Sequence, residues 1–330
     1  MKILIRTDGN KTIASGHIRR CLSIAEALSD KGADVCFYFT DPQSIGLLDG
    51  FCRGDGVSFR HIMQAEEADL IFTDSYSFTP DDYRDIRRYA PLTGCIDDLC
   101  NFDPDVDLLV NYSPAPPEDL YSARIKLLGP LYAPLRRQFA GCQYEVRENA
   151  GRIFISTGGT DPFSIIEKLL KEIYEENGRS DLNCEVMLGS FFEEGYKERL
   201  RALADKHACI RLNEKVSDVA GLMTRCDLAV TAGGTTLYEL CAAGTPTVVF
   251  TIADNQCPFA RSFAEKQAVC YEGDIRSDAG LISRLYSRID SLLPDREKRY
   301  GMHEHGRAIV DGGGAQRIAE AILLANTRLL

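Results

Sequence analysis

Short apolar runs alternate with amphipathic segments along the whole chain. In the first half KILIR, VCFYF, VSFRHI, DLIFTD, LTGCID and DLLVNY read as strands. Between the first two, Ile18, Cys21, Leu22, Ala25 and Leu28 recur on one helical face, and Gly32 supplies a stop. Strand–helix–strand alternation predicts a parallel, doubly wound sheet. A polar, proline-marked stretch from NYSPAPPEDLYSARIKLLGPLYAPLRRQF to AGCQYEVRENAG shows no second layer of helices, so a domain boundary is placed near residues 140–150. The pattern then restarts with strands RIFIST, NCEVMLG, CIRLN, DLAVT and TPTVVFT. Helices are expected near 163–176, 192–206, 217–226, 236–243 and 256–267, and three more at 278–292, about 295–309 and 315–328. The expected fold class is α/β, with two doubly wound domains over residues 1–145 and 146–330 and the C-terminal helices in the second. A central cleft between them would take ligand at the carboxyl ends of the strands.

Length and charge sharpen this picture. A chain of 330 residues is long for one core and agrees with two domains. A net charge of −11 argues against nucleic acid and anionic membranes as partners. It leaves room for a small anionic ligand, which backbone amides can bind inside an acidic protein. The start MKILIRTDG reads directly as a strand, without an export h-region, and no apolar run is long enough to span a bilayer. The expected location is the cytoplasm, with no stable membrane association. The 12 cysteines include no C-x-x-C, and Cys21, Cys36, Cys184, Cys226, Cys241 and Cys270 fall inside apolar patterns, so buried reduced thiols are expected. His303 and His305 lie two apart in a polar stretch, which is not a metal-ligand spacing.

The second half carries the clearer candidate chemistry. FISTGGTDP runs from a strand into Gly158, Gly159 and Thr160, and LAVTAGGTTLYEL repeats the arrangement with Gly233, Gly234, Thr235 and Thr236. Paired glycines let a backbone approach a ligand closely, and helix-start amides with threonine hydroxyls suit phosphate oxygens. Neither loop is a Walker A motif or a G-x-G-x-x-G fingerprint. Such turns can also be purely structural; two of them in one domain favour a diphosphate site. Glu239, five residues beyond Gly234, is either a ribose contact or a solvated helix residue. FTIADNQCPFA delivers Asp254, Asn255 and Gln256 at a strand end, where a helix cap would explain one of them.

In the first half, Arg6 and Asp8 leave the first strand and Gly16 precedes His17 at a helix start. The helix dipole there disfavours imidazolium, and a neutral imidazole can take a proton from water or an alcohol. A capping or packing role is the alternative for His17. Arg19 or Arg20 is a candidate phosphate contact, the other facing solvent. Asp74 and Tyr76, then Asp97 and Asp98, then Asn111 end further strands. Each has a turn explanation, which we favour for the Asp97–Asp98 pair, but their shared placement points to a polar-lined pocket.

Taken together, RTDGN…SGHIRR, DSYSF, IDDL, GPLYAPLRRQF, STGGTDP, TAGGTTLYELCAAGTP, ADNQ and DGGGAQRI occur in order over nearly the whole chain. The set resembles the UDP-sugar hydrolases of pseudaminic acid biosynthesis and the related spore-coat polysaccharide proteins. The resemblance implies Rossmann-like domains in the glycosyltransferase-B architecture, no metal and no cofactor. It implies hydrolysis of UDP-2,4-diacetamido-2,4,6-trideoxy-β-L-altropyranose to UDP and free sugar, with inversion at the anomeric carbon. His17 matches the family's catalytic histidine, and Tyr76 and Asn255 match positions near the sugar and the reacting centre. Arg6, Asp8, Gly16, Arg20, Asp74, Asp254 and Gln256 would line the substrate site. The loops Gly158–Thr160 and Gly233–Thr236 would hold the diphosphate, Glu239 the ribose and the backbone at Val216 the uracil. The implied partners are the UDP-sugar, the UDP product and enzymes acting before and after it. A UDP-sugar-dependent glycosyltransferase would use the same histidine with an acceptor hydroxyl in place of water. A non-catalytic UDP-sugar sensor would keep the glycine loops and Glu239 without needing His17.

Overall fold

The computed structural model describes residues 1–9 and 16–327. The chain divides into two compact units, Met1–Arg137 with the segment from Gly312 onward, and Gln138–Asp311.

The first unit is a seven-stranded parallel sheet in the order β3-β2-β1-β4-β5-β6-β7. Its strands are β1 Lys2–Thr7, β2 Asp34–Tyr38, β3 Arg60–Ile62, β4 Leu70–Asp74, β5 Leu92–Ile96, β6 Leu108–Asn111 and β7 Ile125–Leu128. Helices α1 Gly16–Asp30, α2 Pro42–Asp55 and α3 Pro80–Ile86 connect them. Strands buried on both faces read as continuous apolar runs, and β4 and β5 are buried at every position. Local signals set the helix ends. Asp41 accepts from the Gln43 amide before Pro42 of α2, and Thr79 with Asp82 forms a capping box on α3.

The second unit is a six-stranded parallel sheet in the order β10-β9-β8-β11-β12-β13. It comprises β8 Arg152–Ser156, β9 Asn183–Met187, β10 Ile210–Asn213, β11 Leu228–Ala232, β12 Thr247–Thr251 and β13 Val269–Asp274. Its helices are α4 Ile165–Lys171, continued by a π-turn over Glu172–Glu176, α5 Glu194–Lys206, α6 Val219–Thr224, α7 Thr236–Ala243, α8 Gln256–Glu265, α9 Leu281–Leu292 and α10 Arg296–Ile309. A core of Ile153, Ile155, Leu169, Val186, Leu228 and Val230, with Leu285 and Ile289 from α9, joins sheet and helices.

Two differences from the sequence reading concern the boundary. The second unit begins at Gln138, not at residue 146, and the final helix α11 Gly314–Thr327 packs on the first unit, against α1 and the Pro130–Tyr132 turn. Its buried stripe, Ala315, Ile318, Ala319, Ile322 and Ala325, has the i, i+3, i+4 spacing of a helix face. Gly314 makes the docking possible: a Cβ there would lie 2.2 Å from the Ala133 carbonyl oxygen. Arg317 donates to the Leu131 carbonyl and Lys31 pairs with Glu320 at 2.9 Å. The edge strands β7 and β13 were also not expected.

Candidate functional site

Both sheets reverse their strand order once, between β1 and β4 and between β8 and β11. In an open α/β sheet the crevice at such a reversal is the ligand-binding position. The loops leaving these four strands carry most of the residues singled out from the sequence.

At the first reversal, α1 presents His17 and, one turn later, Arg20; β4 ends in Asp74; and Tyr76 follows in the next loop. His17 Nδ1 lies 2.7 Å from Asp74 Oδ1, with both side chains almost wholly buried. Arg20 donates to both oxygens of the same carboxylate, from Nε at 2.6 Å and Nη2 at 2.6 Å. Through Nη1 it also donates to Asp98 at 2.7 Å and to the Tyr112 hydroxyl at 2.5 Å. Tyr76 donates to Asp98 at 3.2 Å and stands edge-on to the His17 ring, 4.3 Å between centroids at 84°.

The charges in this cluster follow from burial and pairing. Burial alone would raise the Asp74 carboxyl, but Arg20 beside it and the hydrogen bonds from Arg20 and His17 outweigh that and hold it well below the usual carboxylate range. Burial would lower Arg20; Asp74, Tyr112 and Asp98 outweigh it and keep the guanidinium charged. Burial, then Asp98, pushes the Tyr76 phenol up, and burial pushes Tyr112 up to about 12. An ionised carboxylate only accepts, so the contact with Asp74 calls for a proton on His17 Nδ1, beside which Arg20 Nη2 also stands at 3.1 Å; a neutral ring in that tautomer has its lone pair on Nε2. The arrangement is an imidazole fixed in one tautomer by a buried carboxylate, competent to take a proton and to be stabilised once it has done so.

Two expected substrate contacts are thereby corrected. Asp74, 1% exposed, stands behind the histidine, and Arg20 spends its donors on Asp74, Asp98 and Tyr112, so both position other groups. Arg19 instead pairs with Asp55 at 2.8 Å and lies over the Phe51 ring. The aspartate pair also splits. Asp97 accepts from the Leu99 and Cys100 amides as a turn residue should, whereas Asp98 joins the site and keeps a buried Oδ1 without a partner among the described residues. Asp98, for which a turn role was favoured from the sequence, and Tyr112, which was not singled out, thus join this cluster. Asn111 is engaged by Tyr121 and Ser113 and serves its own turn.

Arg6 and Asp8 form a buried pair at 2.6 Å, with Arg6 also donating to the Thr7 carbonyl and to Thr40. Among the described residues the second Asp8 oxygen is buried without a partner. Gly16 is the first residue of α1; the Asn10–Ser15 part of its motif lies outside the described residues.

At the second reversal the two glycine loops differ. Gly158 to Thr160 form a turn after β8, but α4 starts only at Ile165, and Asp161 already accepts from the Ile165 and Ile166 amides at 2.9 and 3.0 Å and from the Tyr196 hydroxyl at 2.5 Å. The expected helix-start amides are therefore not delivered by this loop. Gly189 lets the loop after β9 pack closely on it: a Cβ there would lie 2.5 Å from the Gly158 and Gly159 carbonyl oxygens, and the Phe191 amide donates to the Gly159 carbonyl. Thr157 nonetheless holds a buried hydroxyl without a partner among the described residues.

The loop after β11 keeps its expected geometry. Gly233 donates to the Phe250 carbonyl, Gly234 to the Ala232 carbonyl, and α7 begins at Thr236 with Thr235 before it, whose side chain makes no cap hydrogen bond. Glu239 is half-buried in the first turns of α7. On the neighbouring strand end, Asp254 pairs with Arg276 at 2.6 Å and Gln256 Oε1 accepts from the Ile252 amide. Asn255 is exposed at the start of α8 and makes no cap bond. The Gln256 Cβ lies 3.4 Å from where a Gly233 Cβ would stand, so these two loops adjoin. Val216 is half-buried in the loop after β10, beside Lys215 in the left-handed region. Among the described residues no helix is long and apolar enough to cross a membrane.

Two parallel sheets of seven and six strands, each with its candidate residues at the strand reversal, define the glycosyltransferase-B architecture. Solved structures with this fold include MurG of Acinetobacter baumannii, at a TM-score of 0.65 and 13% identity over 98% of this chain and 99% of that one. The calicheamicin glycosyltransferase CalG4 compares at 0.66 and 13% identity over 98% and 97%. Homologues include the spore coat polysaccharide biosynthesis protein SpsG of Bacillus subtilis, 31% identical over 194 residues that cover 58% of this chain and 56% of that protein. They also include the pseudaminic acid cytidylyltransferase and UDP-2,4-diacetamido-2,4,6-trideoxy-β-L-altropyranose hydrolase of Helicobacter pylori, 24% identical over 80% of this chain and 47% of that protein. The chain thus spans about half the length of these curated relatives. No protein-family model matches it.

Proposed function

We propose that the chain is a metal-independent nucleotide-sugar hydrolase, cleaving UDP-2,4-diacetamido-2,4,6-trideoxy-β-L-altropyranose to UDP and the free sugar. The observation that carries the reading is the 2.7 Å contact between His17 Nδ1 and Asp74 at the first sheet reversal. It supplies an oriented base, and the hydrolase activity in the Helicobacter pylori relative's name supplies the substrate.

In this reading Nε2 of His17 removes a proton from water as the water oxygen bonds to the anomeric carbon. The bond from that carbon to the UDP oxygen breaks, the electron pair leaves with UDP, and Asp74 stabilises the imidazolium. A single displacement inverts the anomeric centre. Tyr76, half-exposed against the His17 ring, contacts the sugar, and Asn255 serves near the reacting centre. Thr235 and Thr236, at the start of α7, hold the diphosphate with amides and hydroxyls, Gly233 and Gly234 let it come close to the backbone, Glu239 binds the ribose and the backbone at Val216 the uracil.

The second reading is transfer, in which an acceptor hydroxyl replaces the water. Its support is that the fold is shared with a glycosyltransferase and that the same base would serve. Proton NMR of the purified protein with the UDP-sugar separates the two. UDP and free sugar appearing together without an acceptor, the first-formed anomer inverted, is the result expected. UDP released only when a sugar or lipid acceptor is added would establish transfer.

A further inference from the structure

A cavity of about 500 Å³ lies within the first unit, apart from the residues used above except Arg6. Its floor is the carboxyl ends of β1 and β2 with the turn after β3, and its wall is α3. Right-handed crossovers put α1 on one face of the sheet and, past the reversal, α3 on the other, so the cavity and His17 belong to opposite faces.

The lining has a definite chemical character. Arg6 is the cation within it, and it is already neutralised by Asp8 at 2.6 Å and lies near the Tyr38 and Phe78 rings, its guanidinium carbon 5.5 Å from each centroid. Asp82 and Asp85 add carboxylates from α3. Asp85 is matched by Arg88, and Asp82 accepts from the Thr79 amide and hydroxyl. A phosphate entering here would meet these carboxylates with no free cation among the described lining residues to offset them. What remains is acceptor oxygens and the Gln64 amide set beside the rings of Tyr38, Phe78 and the exposed Tyr89. Aromatic faces beside planar acceptors suit a ring with an apolar C–H face and hydroxyls at its rim.

We infer that this cavity binds an uncharged saccharide without a nucleotide, separately from the candidate catalytic site. The choice of a saccharide over other uncharged polar rings rests on the sugar-processing function proposed above.

Saturation-transfer NMR on the full chain tests this with N-acetylglucosamine, N-acetylgalactosamine and N-acetylmannosamine, and with N-acetylglucosamine 1-phosphate as the charged control. At least one neutral sugar is expected to bind at least tenfold more tightly than the phosphate. Tyr89→Ala, which removes an exposed ring, and Ala65→Trp, which fills the space, should each weaken it at least tenfold with unchanged melting temperature and UDP release. No transfer from any of the three sugars, equal binding of the phosphate, or binding unaltered in both variants overturns the assignment. Sugar binding without UDP release would keep the cavity and remove the proposed function, and UDP release without binding at the cavity would do the reverse.

Discussion

His17 and Asp74, 57 positions apart in sequence, meet at 2.7 Å because β1 and β4 are neighbours in the sheet. Asp74 is in turn clamped by two bonds from Arg20. A histidine at a helix start thereby acquires one tautomer and one orientation.

Replacing Asp74 with Asn keeps the shape but removes the charge. The amide can offer its nitrogen to Nδ1 and so favour the wrong tautomer. Steady-state kinetics are expected to show kcat reduced by about 10²–10⁴-fold with KM little changed. An equal loss in 1/KM alone would assign Asp74 to binding.

The same carboxylate makes stability depend on acid. Its folded-state pKa is depressed, so the unfolded chain binds the proton more tightly and its contribution is present above the unfolded value of about 4. It is lost as pH falls from there toward the folded value. Tyr112 acts oppositely: raised to about 12, its contribution is complete below about 10 and is lost as pH rises through 12. Urea titrations across pH should show both limbs, and Asp74→Asn should flatten the acid one.

Arg20 is expected to be positional. Arg20→Met leaves Asp74 buried without its partner and should cost about 3–5 kcal/mol of unfolding free energy. Arg20→Lys retains a charge but cannot reach both Asp74 oxygens, Asp98 and Tyr112 from one nitrogen. It should restore part of the stability while kcat stays low. A purely structural role predicts that activity recovers with stability, which parallel denaturation and turnover measurements would show.

Much of this architecture is legible in the sequence, and the omissions have a common cause. Strands β7 and β13 are the outermost strands of their sheets and lack the continuous apolar run of buried neighbours: Lys126 is exposed in one, and polar Glu272 and Asp274 stand in the other. The stripe on α11 is readable as helical, but nothing in a stripe names its partner, and the Gly314–Ala133 approach becomes visible only in three dimensions. At the site, strand-end position singles out Asp74, but its place behind His17, bonded to Arg20, is visible only in three dimensions. The three-residue spacing of His17 and Arg20 places them on one helix face and was the signal that both belong to a single cluster.

The docking of α11 gives a prediction independent of function. Gly314→Val places side-chain carbons against the Ala133 carbonyl and should release α11 from α1. Hydrogen exchange is expected to rise in α1 and α11 while the strands β8 to β12 of the second unit stay protected. Unchanged exchange in α1 would count against the docking.

The most direct measurement is hydrolysis in ¹⁸O-labelled water, read by mass spectrometry of both products. Attack on the anomeric carbon by water activated at His17 places one ¹⁸O in the sugar and none in UDP, with the rate lowered about 10²–10⁴-fold in His17→Asn. Label in the UDP, or a His17→Asn variant that turns over like the parent, would contradict it.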